Sequence, residues 1–183
     1  MPDDFKIVPG QVAAEQKYDG HRILTQVTLG KQVGAWNRLC NAHALPDQIV
    51  HVLKQFPVGS VYDGALCIPG GVSTDVVTIG SESQLVYVVF DVLRLLGARM
   101  TDQSYDQRRA YLKVIFAKHG KSSPSVILAD SVNLSSYRDL TAMEDRVWER
   151  GGEGLIIKRR SSAYYPGKRC EAFLKIKLGF EAH

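Results

Sequence analysis

Lys17-Tyr18-Asp19-Gly20 stands directly before a run in which Ile23, Thr25, Val27 and Leu29 alternate with Leu24, Gln26 and Thr28. No other stretch constrains the chain as strongly. A period of two makes 22–29 a strand with one face turned inward. Asp-Gly lets the backbone bend sharply beside the lysine, so that its amine can point into a pocket. A solvated lysine before a hairpin turn is the plain alternative, and the tetrapeptide by itself does not exclude it. Gly30-Lys31 then reads as a turn, with Gln32 to Trp36 as the returning strand.

Residues 1–14 are punctuated by Pro and Gly and read as an extended lead-in. Within 44–56, Leu45, Ile49 and Leu53 fall at helical spacing, with Pro46 near the start, where proline is tolerated. Ser60–Ile68 and Leu85–Leu93 are strand-like and flank a loop at 69–71 and a polar stretch through Ser83. Ser104-x-x-Gln107 is a capping box opening a helix that runs to about His119 and closes at Gly120. Leu112, Ile115, Phe116 and His119 share a face of it, and His119 suits the helix C-terminus rather than chemistry. Val126–Ala129 reads as a short buried strand. Ser136-x-x-Asp139 opens a second helix with Leu140, Met143 and Val147 inward, ended by Gly151-Gly152. Strands and helices in this mixed order give an α+β fold of antiparallel sheets with packed helices.

At 183 residues the chain is long enough for one domain with a substantial core. A net charge of +4 permits a nucleic-acid partner through phosphate contacts. The distribution says more, since Lys158, Arg159, Arg160, Lys168, Arg169, Lys175 and Lys177 crowd the C-terminal end. Cys40, Cys67 and Cys170 are odd in number and lack metal-type spacing. They read as reduced thiols of a cytoplasmic protein, or a nuclear one in a eukaryote. No signal, transit or membrane-length apolar segment is present, so a membrane partner is not expected.

A lysine attacks phosphorus only as the neutral amine, whereas a solvated lysine has a pKa of roughly 10.4. Nearby cations and desolvation favour the neutral form. Lys175 and Lys177, two apart, face the same side of a strand, where both could act on one site. Alternating lysines are also a common guard on edge strands. Glu153 follows the Gly-Gly helix stop and precedes the apolar run Leu155-Ile156-Ile157. A carboxylate at the mouth of a buried strand suits a magnesium or manganese ion, often through water; the alternative is a helix-end carboxylate bonding backbone amides.

Five stretches, in order, resemble the motifs of the covalent nucleotidyltransferase superfamily. They are Lys17-Tyr18-Asp19-Gly20, Val61-Tyr62-Asp63-Gly64, Val89-Phe90-Asp91-Val92-Leu93, Glu153-Gly154-Leu155-Ile156-Ile157-Lys158 with Tyr165-Pro166-Gly167-Lys168-Arg169, and Phe173-Leu174-Lys175-Ile176-Lys177. The resemblance covers nearly the whole chain. The Phe-Asp pair and the Tyr-x-x-Gly-x-Arg-like tail are similar to those of the adenylation domain of ATP-dependent DNA ligases.

That resemblance implies the nucleotidyltransferase (ATP-grasp-like ligase adenylation) fold, two antiparallel sheets flanked by helices with the nucleotide between them. It implies that Lys17 takes AMP from ATP as a lysyl-AMP and passes it to the 5′-phosphate of a nicked duplex, with Lys175 and Lys177 on the phosphate. Phe90 would stack on adenine, Glu15 would accept from its amino group, and Arg22 and Arg38 would meet ribose or phosphate. Tyr18, Asp19, Asp63, Glu153 and Lys158 would complete the nucleotide site, with Glu153 and Asp63 on Mg2+ or Mn2+. Residues 1–178 would form the adenylation domain of a monomer, and 179–183 the start of a linker to a missing OB-fold domain. RNA ligation, polynucleotide repair, or a nucleotide- or DNA-binding module without turnover are the alternatives. One position departs from the family: Ala65 stands where Asp-Gly is followed by glutamate. Restoring glutamate there is expected to strengthen ATP use with little effect on folding.

Overall fold

The computed structural model describes residues 8–68, 85–120, 124–167 and 172–177. The loop at 69–71, Lys168, Arg169, Cys170 and the expected linker at 179–183 lie outside them. The strands are β1 (Val12–Lys17), β2 (His21–Val27), β3 (Val33–Asn37), β4 (Ser60–Cys67), β5 (Val86–Leu95), β6 (Ala98–Arg99), β7 (Val126–Leu128), β8 (Ser131–Leu134), β9 (Gly154–Arg159) and β10 (Phe173–Lys177). The helices are α1 (Asp47–Leu53), α2 (Tyr105–His119) and α3 (Tyr137–Glu149).

The strands form a four-stranded sheet, β10-β9-β1-β8, and a six-stranded sheet ordered β3-β2-β4-β5-β6 with β7 beside β5. The expected α+β architecture of two sheets with helices is present. Two details differ from the sequence reading. β7 runs parallel to β5, so the larger sheet is not wholly antiparallel. The supposed lead-in also ends in strand: Val12 to Lys17 pairs with β8 on one side and β9 on the other. Gln11-Val12-Ala13-Ala14 shows no alternation of apolar and polar residues because a central strand is covered on both faces.

Both capping boxes form. Ser104 accepts from the Gln107 amide and Ser136 from that of Asp139, opening α2 and α3 as their sequences dictate. Helix α1 is shorter than its apolar spacing predicts and begins after Pro46, whose fixed φ suits a helix entry.

Ile23, Val27, Tyr62, Leu66, Tyr87 and Val89 from the larger sheet pack with Ile49 and Leu53 of α1 and Leu112 and Ile115 of α2. Val12, Ala14, Leu155, Ile157 and Leu174 of the smaller sheet pack with Leu140, Met143 and Val147 of α3. Helices thus cover one face of each sheet. Strand alternation turns Ala13, Glu15 and Lys17 of β1 to the opposite face from Val12 and Ala14. A third cluster joins Cys67, Val88 and Ala129 to Tyr18, Val86 and Phe90.

A buried ion pair ties α2 to the larger sheet. Arg108 donates from Nε to Asp91 Oδ1 at 2.7 Å and from Nη2 to Oδ2 at 3.1 Å. Its Nη1 reaches the carbonyls of Gln103 and Ser162. Every charged atom is thus engaged, which is the condition for a buried pair to be tolerated.

Candidate active site

Gly20 is needed because the turn after β1 lies against β4. A Cβ there would stand 2.5 Å from the Leu66 carbonyl oxygen and 2.7 Å from the Cys67 Cβ. This close approach holds Lys17, Tyr18 and Asp19 at the junction of the two sheets. Gly154 plays the matching part in β9, with φ +155° and the Ile176 carbonyl oxygen 2.0 Å from where a Cβ would be. β10 can therefore come in tightly, and Lys17 and Lys177 both pair with Gly154, from opposite sides.

Glu153, next to that glycine, receives both lysines. Lys17 Nζ donates to its Oε2, and Lys177 Nζ lies 3.8 Å from its Oε1. Lys175 sits two residues earlier on β10 opposite Ile156, sharing the face of Lys177. Beside Lys17 opens a cavity of about 330 Å³ lined by Tyr18, Asp19, Cys67, Val88, Arg150 and Glu153 among others. Its position between the sheets suits a small ligand held by mostly apolar walls with a few polar groups. Burial pushes the Cys67 thiol up to about 11, helped by the nearby Asp19 carboxylate. Burial likewise raises Tyr18, whose hydroxyl accepts from the Asp130 amide at 3.4 Å.

Glu15 is almost fully buried on the same face of β1 as Lys17. Its Oε1 accepts from the Tyr105 hydroxyl at 2.6 Å, and its Oε2 forms an ion pair with Lys158 Nζ at 2.6 Å. Arg109 Nη1 stands 3.8 Å from Oε1. Lys158 Nζ also lies 5.3 Å from the centre of the Phe90 ring, 5.0 Å from that of Tyr105 and 5.7 Å from that of Phe173. Glu15, Lys158 and Phe90 are thereby brought together from β1, β9 and β5. Phe90 itself is half-buried beside Tyr18 and Cys67.

Asp63 is placed differently from its sequence assignment. Its carboxylate is fully buried, and accepts from Arg22 Nε at 3.0 Å and Nη2 at 2.7 Å, and from the Tyr164 hydroxyl at 2.7 Å. Burial raises the Asp63 carboxyl against the pull of Arg22 and Tyr164. The hydrogen bonds that Arg22 donates to Asp63 in turn raise Arg22 further above its ordinary value. Fully buried and engaged by Arg22 and Tyr164, Asp63 does not fit the metal-ligand role that the sequence suggests. Glu153 fits better, being half-exposed at the cavity. Among the described residues no three His, Cys, Asp or Glu side chains are grouped to hold a metal ion. A single carboxylate is in keeping with Mg2+, which keeps several waters and takes phosphate oxygens.

Arg22 is oriented by Asp63, whereas Arg38 lies exposed in the turn after β3 and bonds to none of the other candidates. Tyr105, Arg109 and Tyr164 were not singled out in the sequence. A Tyr at a helix start and an Arg inside a helix carry no local signal of a site. Tyr164 directly precedes the Tyr165-Pro166-Gly167 stretch of the resemblance and is not part of it.

Solved structures share this architecture. The ligase domain of M. tuberculosis LigD superimposes with a TM-score of 0.74 at 24% identity, covering 91% of this chain and 53% of that one. The Chlorella virus DNA ligase-adenylate gives 0.68 at 20% identity, covering 93% and 62%. Two sheets enclosing a lysine, in that arrangement, define the ligase adenylation fold. The sequence profile of the ATP dependent DNA ligase domain matches residues 68–177, and the chain belongs to that family. DNA ligase 1 of Methanosarcina barkeri is 29% identical over 196 aligned residues, which take in 93% of this chain and 35% of that protein. The DNA ligase of vaccinia virus (strain Western Reserve) is 26% identical over 195, taking in 96% and 33%. The chain thus spans about a third of the length of each of these relatives.

Proposed function

We propose that this chain is the adenylation domain of an ATP-dependent DNA ligase. The observation that carries the reading is the convergence of Lys17 and Lys177 on Glu153, with Lys17 and Glu153 lining the cavity. Lys17 Nζ, as the neutral amine, attacks the α-phosphorus of ATP, a P–N bond forms, the bond to pyrophosphate breaks, and the nitrogen gives up one proton. Lys175 and Lys177 stand on the face where negative charge gathers on the phosphate oxygens, which fixed cations stabilise in the transition state. Mg2+ or Mn2+, held by Glu153 directly or through water, would supply further charge neutralisation on the phosphates. Phe90 stacks on adenine, Glu15 accepts from its amino group and Lys158 lies beside both. Tyr18 and Asp19 wall the cavity, and Arg22 and Arg38 serve ribose or phosphate.

In the second step an oxygen of the 5′-phosphate at a nick in double-stranded DNA attacks the AMP phosphorus, and Lys17 leaves as the amine, taking up a proton. The strand's 3′-hydroxyl then displaces AMP. The basic C-terminal end supports a phosphate-backbone partner, whose affinity would fall with rising salt. A nuclear or cytoplasmic site and a monomeric state go with this reading.

Ala65 favours a second reading in one respect. Without a glutamate at that place the site has one acceptor fewer for ribose, which supports weak ATP use or nucleotide binding without turnover. Incubation with α-labelled ATP and a divalent metal tests the choice. Covalent label on the protein is expected; noncovalent binding alone would favour the binding module.

A further inference from the structure

We propose that Tyr105 and Arg109, one turn apart on α2, position the Glu15 carboxylate so that it can read the amino group of adenine. This rests on the role of Glu15 given above and adds α2 to the specificity machinery. Neither residue touches the proposed nucleotide; both are positioning residues.

The hydroxyl of Tyr105 has two neighbours, Glu15 Oε1 at 2.6 Å and Ser131 Oγ at 2.8 Å. An ionised carboxylate only accepts, so Tyr105 donates to Glu15 and must accept from Ser131. The proton order is therefore set from Ser131 through Tyr105 to Glu15. Burial, with the Glu15 charge beside it, raises the Tyr105 phenol, which stays a donor at any ordinary pH. Arg109 Nη2 is bonded to the Ala129 carbonyl. Its Nε and Nη1 are buried without a hydrogen-bond partner among the described residues, although Nη1 faces Glu15 at 3.8 Å. Leaving such donors unpaired is costly, and the cation is retained where its field falls on one carboxylate.

The result is a carboxylate gripped at both oxygens. Each oxygen can accept twice, and Tyr105 and Lys158 use one place on each. Each oxygen thus keeps room for one more donor. Lys158 links this carboxylate to the Phe90 ring, so the group that would stack on the base and the group that would read its edge share a neighbour. Adenine offers an N–H there, whereas guanine offers a carbonyl oxygen that a fixed acceptor repels.

The test compares the affinity of the chain for ATP and for purine riboside triphosphate, which differs from ATP only in lacking the 6-amino group. Calorimetry gives both constants without requiring turnover. The wild type is expected to prefer ATP about tenfold or more, and Glu15→Ala to remove that preference. Tyr105→Phe and Arg109→Met are expected to cut the preference about three- to tenfold while leaving affinity for the analogue unchanged. Ser131→Ala, which removes only the donor behind Tyr105, is expected to act in the same direction and serves if a larger change prevents folding. If Glu15→Ala removes the preference while Tyr105→Phe and Ser131→Ala leave it intact, or lower both affinities equally, the positioning role is overturned. If Glu15→Ala itself leaves the preference intact, the reading of Glu15 fails and this inference goes with it.

Discussion

Lys17 and Lys177 pair with Gly154 from opposite sides, and both ammonium groups are directed at the Glu153 carboxylate. Lys177 is largely solvent-exposed, at 76%, so it contributes little to folding. Lys177→Ala should therefore lower the single-turnover rate of self-adenylation about 10- to 100-fold, the range for losing a hydrogen bond to a charged group. The melting temperature should stay within a degree or two of wild type. A stable variant with an unchanged rate would remove Lys177 from the site.

Arg22, half-exposed, and Tyr164 hold the buried carboxylate of Asp63, and removing Asp63 or Tyr164 has effects of different size. Asp63→Ala leaves Arg22 and the Tyr164 hydroxyl without their shared acceptor. Asp63→Ala is expected to cost about 2–3 kcal/mol, less than the about 3–5 kcal/mol of a fully buried pair because Arg22 is 45% exposed, whereas Tyr164→Phe removes two hydrogen bonds, one to Asp63 and one from Arg22, and is expected to cost about 1 kcal/mol. Urea denaturation of the two variants should reproduce that order. Equal losses would mean that the carboxylate is held by something other than Arg22.

The described residues of the five stretches that carry the family resemblance lie on strands and turns, and both capped helices were legible as well. What escaped the sequence were pairings across distance. β8 is short and polar on one side, and nothing local marks Ser131-Val132-Asn133-Leu134 as the edge partner of β1. The parallel pairing of β7 with β5 is equally invisible, because register between distant segments leaves no periodic trace. The same holds for side chains: Glu15 meets Tyr105 across 90 residues and Asp63 meets Tyr164 across 101. Nothing near Asp63 in the chain marks it as sealed, because Arg22 and Tyr164 lie 41 and 101 residues away.

Ala65 is where sequence and structure lead to opposite expectations. It is only 6% exposed and sits opposite Arg22 on β2 and Val88 on β5. A glutamate side chain would have to desolvate its charge and compete with Asp63 for Arg22. Ala65→Glu is expected to lower stability by about 2 kcal/mol or more, and not to be silent in folding as an open cleft would allow. An unchanged denaturation midpoint together with tighter ATP binding would restore the sequence expectation.

Cys67 reports on the cavity. With its thiol pushed up to about 11, it remains protonated at pH 8 and should react with a maleimide far more slowly than the exposed Cys40. A raised thiol stabilises the fold fully below its unfolded value near pH 9 and ceases to do so as pH climbs through about 11. Stability should accordingly decline across that alkaline window, and Cys67→Ala should soften the decline. Saturating ATP should slow Cys67 labelling further, since the residue lines the cavity beside Lys17. Equal labelling of Cys40 and Cys67 would show the cavity to be open to reagent.

Peptide mapping by mass spectrometry, after incubation with ATP and Mg2+, addresses the nucleophile directly. The expected result is a single AMP adduct on the peptide containing Lys17, absent from Lys17→Ala and from Lys17→Arg, whose guanidinium stays protonated, although both variants remain folded. An adduct on any other lysine, or one that persists in Lys17→Ala, would contradict the assignment of Lys17 as the residue that carries AMP.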